Sequence, residues 1–205
     1  MTGLATYACD IREPDMLFAA LVHAPRRDAT LGSLDDKAAL AMPGVRGVVK
    51  LPSLSGSAAA VGVVADGGGH GVVAADVVTE SGLEMADLSE ATKQAMVPHL
   101  KHNVPANPVD LAGADASMLW CFHGLVDALL AADEVDAVVM SGYFGGYGAY
   151  HPEAEGIELA VIDAIATAAD QRGKPVVIQS MEEPSANASI RRMKEIGLPV
   201  FPRIE

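Results

Sequence analysis

The chain has 205 residues; half are hydrophobic, only 4% are aromatic, and 27 acidic against 14 basic side chains give a formal net charge of -13. This size suits one large domain or two small ones, with a core built from aliphatic side chains. The acidic balance excludes nucleic acid and anionic membrane surfaces as partners, because both are recognised through Lys/Arg clusters. Any anionic ligand must be held largely by backbone N–H groups or by a partner chain.

No signal-peptide pattern opens the chain, since Asp10, Arg12, Glu13 and Asp15 interrupt any apolar run. No apolar stretch reaches the ~18 residues of a membrane span. Cys9 and Cys121 stand far apart in unlike contexts and read as reduced thiols, so the expected location is cytoplasmic.

In chain order, residues 1–57 have β character. Strands are expected over Met16–Pro25, Ala29–Asp35 and Val45–Pro52. A short helix is expected in "SLDDKAALAMPG", capped by Ser33 or Asp35 and ended at Gly44. Leu51–Ala60, rich in Ser and small residues, is the expected seam, and residues 58–205 form the second domain.

That second domain alternates strands and helices. Ala59–Asp66 is a strand, and "HGVVAADVVTESG" is a helix stopped by Gly82. "SEATKQAMV" is a helix with Ser89 as cap, and three prolines keep Val104–Gly113 extended. "ASMLWCFHGLVDALLAAD" is a long helix whose Met118, Leu119, Phe122, Leu125, Val126, Leu129 and Leu130 fall at i, i+3, i+4 spacing. "VDAVVMSGYF" and "KPVVIQSM" are strands. "EAEGIELAVIDAIATAADQRG" and "SANASIRRMKEIG" are helices, and "LPVFP" is a last short strand. Repeated strand–helix units predict an α/β domain with a parallel sheet covered on both faces.

Between the first strand and its helix stand Gly67, Gly68, Gly69, His70, Gly71 and Val72. Ligands gather at the carboxyl edge of open parallel sheets. A helix N-terminus offers unpaired amides and a partial positive charge, and glycines allow close approach and positive φ. The turn is therefore suited to a phosphoryl group. It is neither a P-loop, since no Lys-Ser/Thr follows, nor the dinucleotide fingerprint, since Val72 holds the third glycine position. A tight turn that needs only small residues gives the same pattern. His70 has three readings: a solvated polar residue, a hydrogen-bond donor to phosphate, or a phosphoryl carrier.

Asn107 and Asp110 in "NPVDL" could contact the glycine turn or a ligand, or form an Asx turn. Tyr143, Phe144, Tyr147 and Tyr150 among glycines suit a planar ligand or, preferably, a partner subunit. No metal site is expected. Pro98 breaks the helix at His99 and His102, and Cys121 and His123 point to different sides of theirs.

"VGVVADGGGHGVVAADVVTESGLEMADLSEATKQAMVPHLKHNVPANPVDLAG", continued by "MSGYFGGYG" and "GKPVVIQSM…IRRMKEIGLPVFPRIE", resembles the ligase domain of NDP-forming acyl-CoA synthetases, the succinyl-CoA synthetase superfamily. The likeness covers about residues 58–205. It implies a flavodoxin-like domain whose helix after Gly67–Gly71 faces a phosphohistidine. The complete enzyme joins an acid to CoA at the expense of ATP or GTP. The position of His70 is often Pro in that family, and the phosphorylated His usually lies in a companion domain. The resemblance implies no cofactor bound by this chain alone. It implies CoA-binding and ATP-grasp domains or subunits as partners, since neither is found in the sequence; a homo-oligomer is compatible with it.

"YACDIREPDMLFAALVHAPRRDATLGSLDDKAALAMPGVRGVV" resembles the start of the a/b-hammerhead domain of molybdenum hydroxylase large subunits, over roughly residues 3–50. It carries none of the segments that bind molybdopterin there. Three readings follow: a phosphate-binding ligase domain that is incomplete without partners, an inactive hybrid serving as an assembly module, and a remnant of a molybdenum hydroxylase.

Overall fold

A computed structural model describes residues 33–48, 59–101, 103–182 and 187–204. The chain divides into two compact units, Met1–Ser53 and Leu54–Glu205, each described by itself. In the first, the described part holds one helix, α1 (Lys37–Leu40), whose first amide is accepted by Asp35 Oδ1 at 3.2 Å. Gly44 follows it with φ +90°. None of residues 33–48 is buried. Val45–Val48, expected to start a strand, has no strand pairing. The strand expected over Met16–Pro25 and most of Ala29–Asp35 lie outside the described residues.

The second unit is an α/β domain. Its described elements are β1 (Ala60–Ala65), α2 (Gly68–Glu80), β2 (Glu84–Met85), α3 (Glu90–Met96) and β3 (Val109–Asp110), then α4 (Leu119–Ala131), β4 (Ala137–Gly142) and α5 (Tyr147–Tyr150). α6 (Glu155–Arg172), β5 (Val176–Ser180), α7 (Ala188–Glu195) and β6 (Val200–Phe201) complete it. All strand pairings are parallel, in the order β2-β1-β4-β5-β6, with β3 also on β1. With β3 set aside, the remaining strands number 2-1-3-4-5 in chain order, the flavodoxin order. The order reverses between β1 and β4, where Val61–Ala65 runs beside Ala137–Ser141.

β1 is buried from Val61 to Ala65, the continuous apolar run of a strand covered on both faces. Alternate residues sort to opposite faces. Val61 and Val63 pack with Ala74 and Val78 of α2. Val64, with Val138, Met140, Val176 and Ile178, joins the main core under α4, α6 and α7. Gly62 lets α4 close down on the sheet, since a Cβ there would stand 3.0 Å from Leu129. All seven residues that set the period of the long helix are buried. Its beginning, Ala116–Met118, is a 3-10 turn. Ser89 caps α3 as expected, accepting from Thr92 N at 3.2 Å.

β2 and β3 were not expected as separate strands. Both lie on the same outer edge of β1, at its two ends: Ala60 and Val61 pair with Glu84 and Met85, and Val64 and Ala65 with Val109 and Asp110. The Asn107 carboxamide fills the gap between them. It accepts from Val63 N at 2.9 Å and donates to Val61 O at 2.8 Å and Ala86 O at 3.0 Å. A side-chain amide thus replaces a peptide unit in the ladder, which buried backbone groups require. No described helix is long and apolar enough to cross a membrane.

Candidate functional site

The carboxyl ends of β1 and β4 meet at the strand-order reversal, the place where ligands bind open α/β sheets. β1 delivers Asp66 and then Gly67, which stands at the N-cap of α2 in extended backbone, φ -155°, with no side-chain cap. The amide of Gly71 closes the first helical turn on Gly67 O at 3.2 Å. Gly71 therefore does not present its amide to a ligand, nor does Val72, which lies further into the helix with its side chain 59% exposed. The groups the turn can offer are the amides of Gly68, Gly69 and His70, the orphan donors of the first turn.

The glycines do not serve the backbone as expected. None of Gly67, Gly68, Gly69 or Gly71 has a positive φ. They leave room instead. A Cβ at Gly67 or Gly69 would meet nothing within 4 Å. A Cβ at Gly71 would stand 3.2 Å from Pro108, so this glycine seats α2 on the segment before β3. A Cβ at Gly68 would stand 3.1 Å from Asp110 Oδ2. Asp110 thus borders the turn, while its Oδ1 accepts from Ala112 N at 2.7 Å in the Asx geometry foreseen as one of its readings.

Sequence reasoning passed over Asp66. It is 6% exposed, and its carboxylate ties three elements together. Oδ1 lies 2.8 Å from His70 Nδ1, and Oδ2 accepts from Tyr143 N at 2.5 Å. Its carbonyl accepts from Gly113 N and Ala114 N. The signal available was an acidic residue closing an apolar strand just before the glycines. His70 keeps about 40% of its side chain exposed, and no hydrogen bond to Nε2 occurs among the described residues.

The turn after β4 is a second glycine-rich loop. Gly142 and Gly145 take φ +130° and +97°, the left-handed region that favours glycine. Glu158 of α6, fully buried, accepts from Gly145 N, Tyr147 N and Gly148 N at 2.9, 3.2 and 3.0 Å. Ser189 Oγ donates to it as well, at 2.6 Å. Asn187 caps α7 and donates to Gly145 O, closing the loop from the other side.

Of the aromatic residues, Phe144 is buried against Phe122 at 5.0 Å between ring centroids, so its ring belongs to the core. Tyr143 meets Tyr147 and Tyr150 ring to ring. A hydrogen bond with Tyr150, then burial, push the Tyr143 hydroxyl up to about 12. Burial, with the negative charge of Asp66 added, holds Tyr147 well above an ordinary tyrosine. Both are neutral donors at working pH. Among the described residues no three His, Cys, Asp or Glu converge as metal ligands.

The arrangement can present three amides and one imidazole nitrogen to an anion, within reach of two carboxylates. A helix N-terminus favours negative charge, and Asp66 and Asp110 already draw on that field.

No family model matches the chain, and no curated protein matches it by sequence. Solved structures do resemble it. The dinucleotide forming acetyl-coenzyme A synthetase 1 of Ca. Korarchaeum cryptofilum, in complex with phosphate and ADP, is 20% identical with a TM-score of 0.53. Its apo form is 19% identical with the same score. A protein of Pyrococcus horikoshii OT3 is 23% identical with a TM-score of 0.55. Each match covers 71% of this chain but only 30% to 32% of the other. The hammerhead likeness of the first segment gains no support from these comparisons. What they establish is the fold: a parallel α/β domain like one portion of a larger acetyl-coenzyme A synthetase chain.

Proposed function

We propose that residues 58–205 act as the ligase-type domain of an NDP-forming acyl-CoA synthetase, with the turn at Gly68–His70 receiving a phosphoryl group. The carrying observation is the set of three first-turn amides left open at the strand-order reversal of a fold shared with acetyl-coenzyme A synthetase chains. Amides at a helix N-terminus stabilise a phosphoryl group without lysine. Since the chain spans only 30% of the acetyl-coenzyme A synthetase chains it resembles, partner domains supply the CoA and the ATP or GTP sites.

The test has two steps. Titration of the labelled chain with inorganic phosphate is expected to shift the backbone amides of Gly68, Gly69 and His70 selectively. Mixing the chain with separately expressed CoA-binding and ATP-grasp subunits is expected to give acid-dependent acyl-CoA and phosphate, and none without this chain. Unmoved amides and an inactive mixture overturn the reading.

A second reading draws on the carboxylates. Asp66 and Asp110 both border the turn and oppose a doubly charged ligand. This favours an assembly module without an active site, which the same titration distinguishes by an absence of shifts.

A further inference from the structure

The Asp66–His70 contact fixes more than a position. An ionised carboxylate only accepts hydrogen bonds. The ring nitrogen 2.8 Å from Asp66 Oδ1 is Nδ1, the nitrogen placed to donate to an ionised carboxylate there. A neutral imidazole has one N–H, and its lone pair then sits on Nε2. The second carboxylate oxygen is engaged by Tyr143 N, which anchors the pair to the β4 turn. Gly142 makes room for it, since a Cβ there would fall 2.1 Å from Asp66 Oδ1 and 2.8 Å from His70 Nδ1.

The charges facing His70 come from every bordering element. Asp66 closes β1, and Asp110 of β3 reaches the Gly68 side of the turn. The β4 turn brings Tyr143 and Tyr147, both held neutral, close enough to feel the charge of Asp66, with Glu182 also acting on Tyr143. Residues 60–80, 107–118 and 137–150 contain no Lys or Arg. Within these segments the only side chain that can turn positive is His70.

We propose that Asp66 is a positioning residue that holds His70 as the Nδ1–H tautomer and reserves Nε2 for the ligand of the glycine turn, so that a dianion binds there together with one proton. The proton comes from solvent onto Nε2, and Nδ1–H stays on Asp66. The ligand part rests on the phosphoryl reading above; the tautomer does not.

Long-range proton–nitrogen NMR on the full chain reads the tautomer, with His70→Gln to assign the signals. Neutral His70 is expected as Nδ1–H. In Asp66→Asn, Tyr143 N keeps the carboxamide oxygen, the NH2 faces Nδ1, and the tautomer is expected to invert. Sulfate, a dianion throughout, is then titrated between about pH 5 and 8, the span in which histidine charges. Affinity is expected to fall about tenfold per pH unit once His70 is neutral, the linkage of one proton. In His70→Gln it is expected to be flat with pH.

Neutral His70 found as Nε2–H in the parent chain overturns the proposal, whether or not Asp66→Asn folds. Sulfate binding that does not vary with pH, or that varies equally in His70→Gln, overturns the proton-coupled step. No sulfate binding at any pH, with the Nδ1–H tautomer in place, overturns the phosphoryl reading and that step with it, and leaves Asp66 as the positioning residue.

Discussion

The two glycine-rich turns at the strand-order reversal, Gly67–Gly71 after β1 and Gly142–Gly148 after β4, differ in where their amides go. In the second, Gly145, Tyr147 and Gly148 all donate to the buried carboxylate of Glu158. The protein supplies its own anion there, and the turn is closed. In the first, the carboxylates stand at the border, and Asp66 spends its oxygens on His70 and on Tyr143 of the other turn. Among the described residues no side chain accepts from the amides of Gly68, Gly69 or His70. The backbone differs in the same sense. Positive φ occurs at Gly142 and Gly145, and none occurs across Gly67–Gly71. Glycine shapes the closed turn by conformation and the open turn by space.

The largest break in this comparison comes from emptying the closed turn. Glu158→Ala leaves three buried amides and the Ser189 hydroxyl without their acceptor. Each stranded buried donor costs on the order of 1–3 kcal/mol. The expected loss is about 3 kcal/mol or more in urea unfolding. A loss under about 1 kcal/mol would mean that the loop does not depend on its internal anion. Glu158→Gln is expected to recover only part, because its NH2 group faces donors.

Gly142→Ala attacks the contact between the turns. The added Cβ falls on Asp66 Oδ1, and the residue holds φ +130°. Strain of this kind costs on the order of 1–3 kcal/mol. The His70 ring signals are expected to move with it, because the Asp66–His70 pair must shift. An unchanged His70 spectrum would show that the pair does not depend on the close approach of β4.

Much of the domain was legible in the sequence, because burial imposes periods on it. The apolar period from Met118 to Leu130, six of its seven residues in α4, and the continuous apolar run of β1 announced their elements. The capping Ser89 marked α3. β2 was not legible: at two residues, Glu84 and Met85 carry no pattern of their own and take strand geometry from β1. The site was read less well. The glycine turn was found where it stands, but Gly71 is used inside the helix and Phe144 inside the core. Asp66 and Glu158 were missed for one reason. An acid at a strand end or in a first helical turn ordinarily faces water, and only the fold brings Tyr143 N to the one and Gly145, Tyr147 and Gly148 to the other. Asn107 was read as a turn or ligand residue, yet its carboxamide completes the sheet, a partnership across 44 residues of chain to Val63 that no local pattern encodes.

The open turn should tolerate what the closed one does not. Gly69→Ala adds a Cβ that meets nothing within 4 Å, in the first turn of a helix with no positive φ. Alanine loses less backbone freedom on folding, so stability is expected to rise by about 0.5–1 kcal/mol. Thermal unfolding reads the change. A destabilised Gly69→Ala would mean that the open turn is under conformational constraint after all, and the contrast between space and conformation would fail.

The smallest effect tests the principle at a third place, the N-terminus of α3. There Glu134 Oε1 accepts from Ser89 N at 2.8 Å and from Thr92 Oγ1 at 2.7 Å, so this helix too has a carboxylate from its own chain. The Thr92 hydroxyl first, then the Ser89 amide, hold the Glu134 carboxyl down to about 2 from its ordinary 4.5. A carboxyl depressed by folding adds stability above its unfolded value and loses it as pH falls through the folded one. The window is therefore from about 4.5 down to about 2. Because the group is only half-buried, solvent screening keeps the contribution small. Glu134→Gln is expected to lower the urea midpoint slightly at neutral pH, with the gap to the parent chain closing across that window. A gap that stays constant with pH would assign the loss to shape instead of charge.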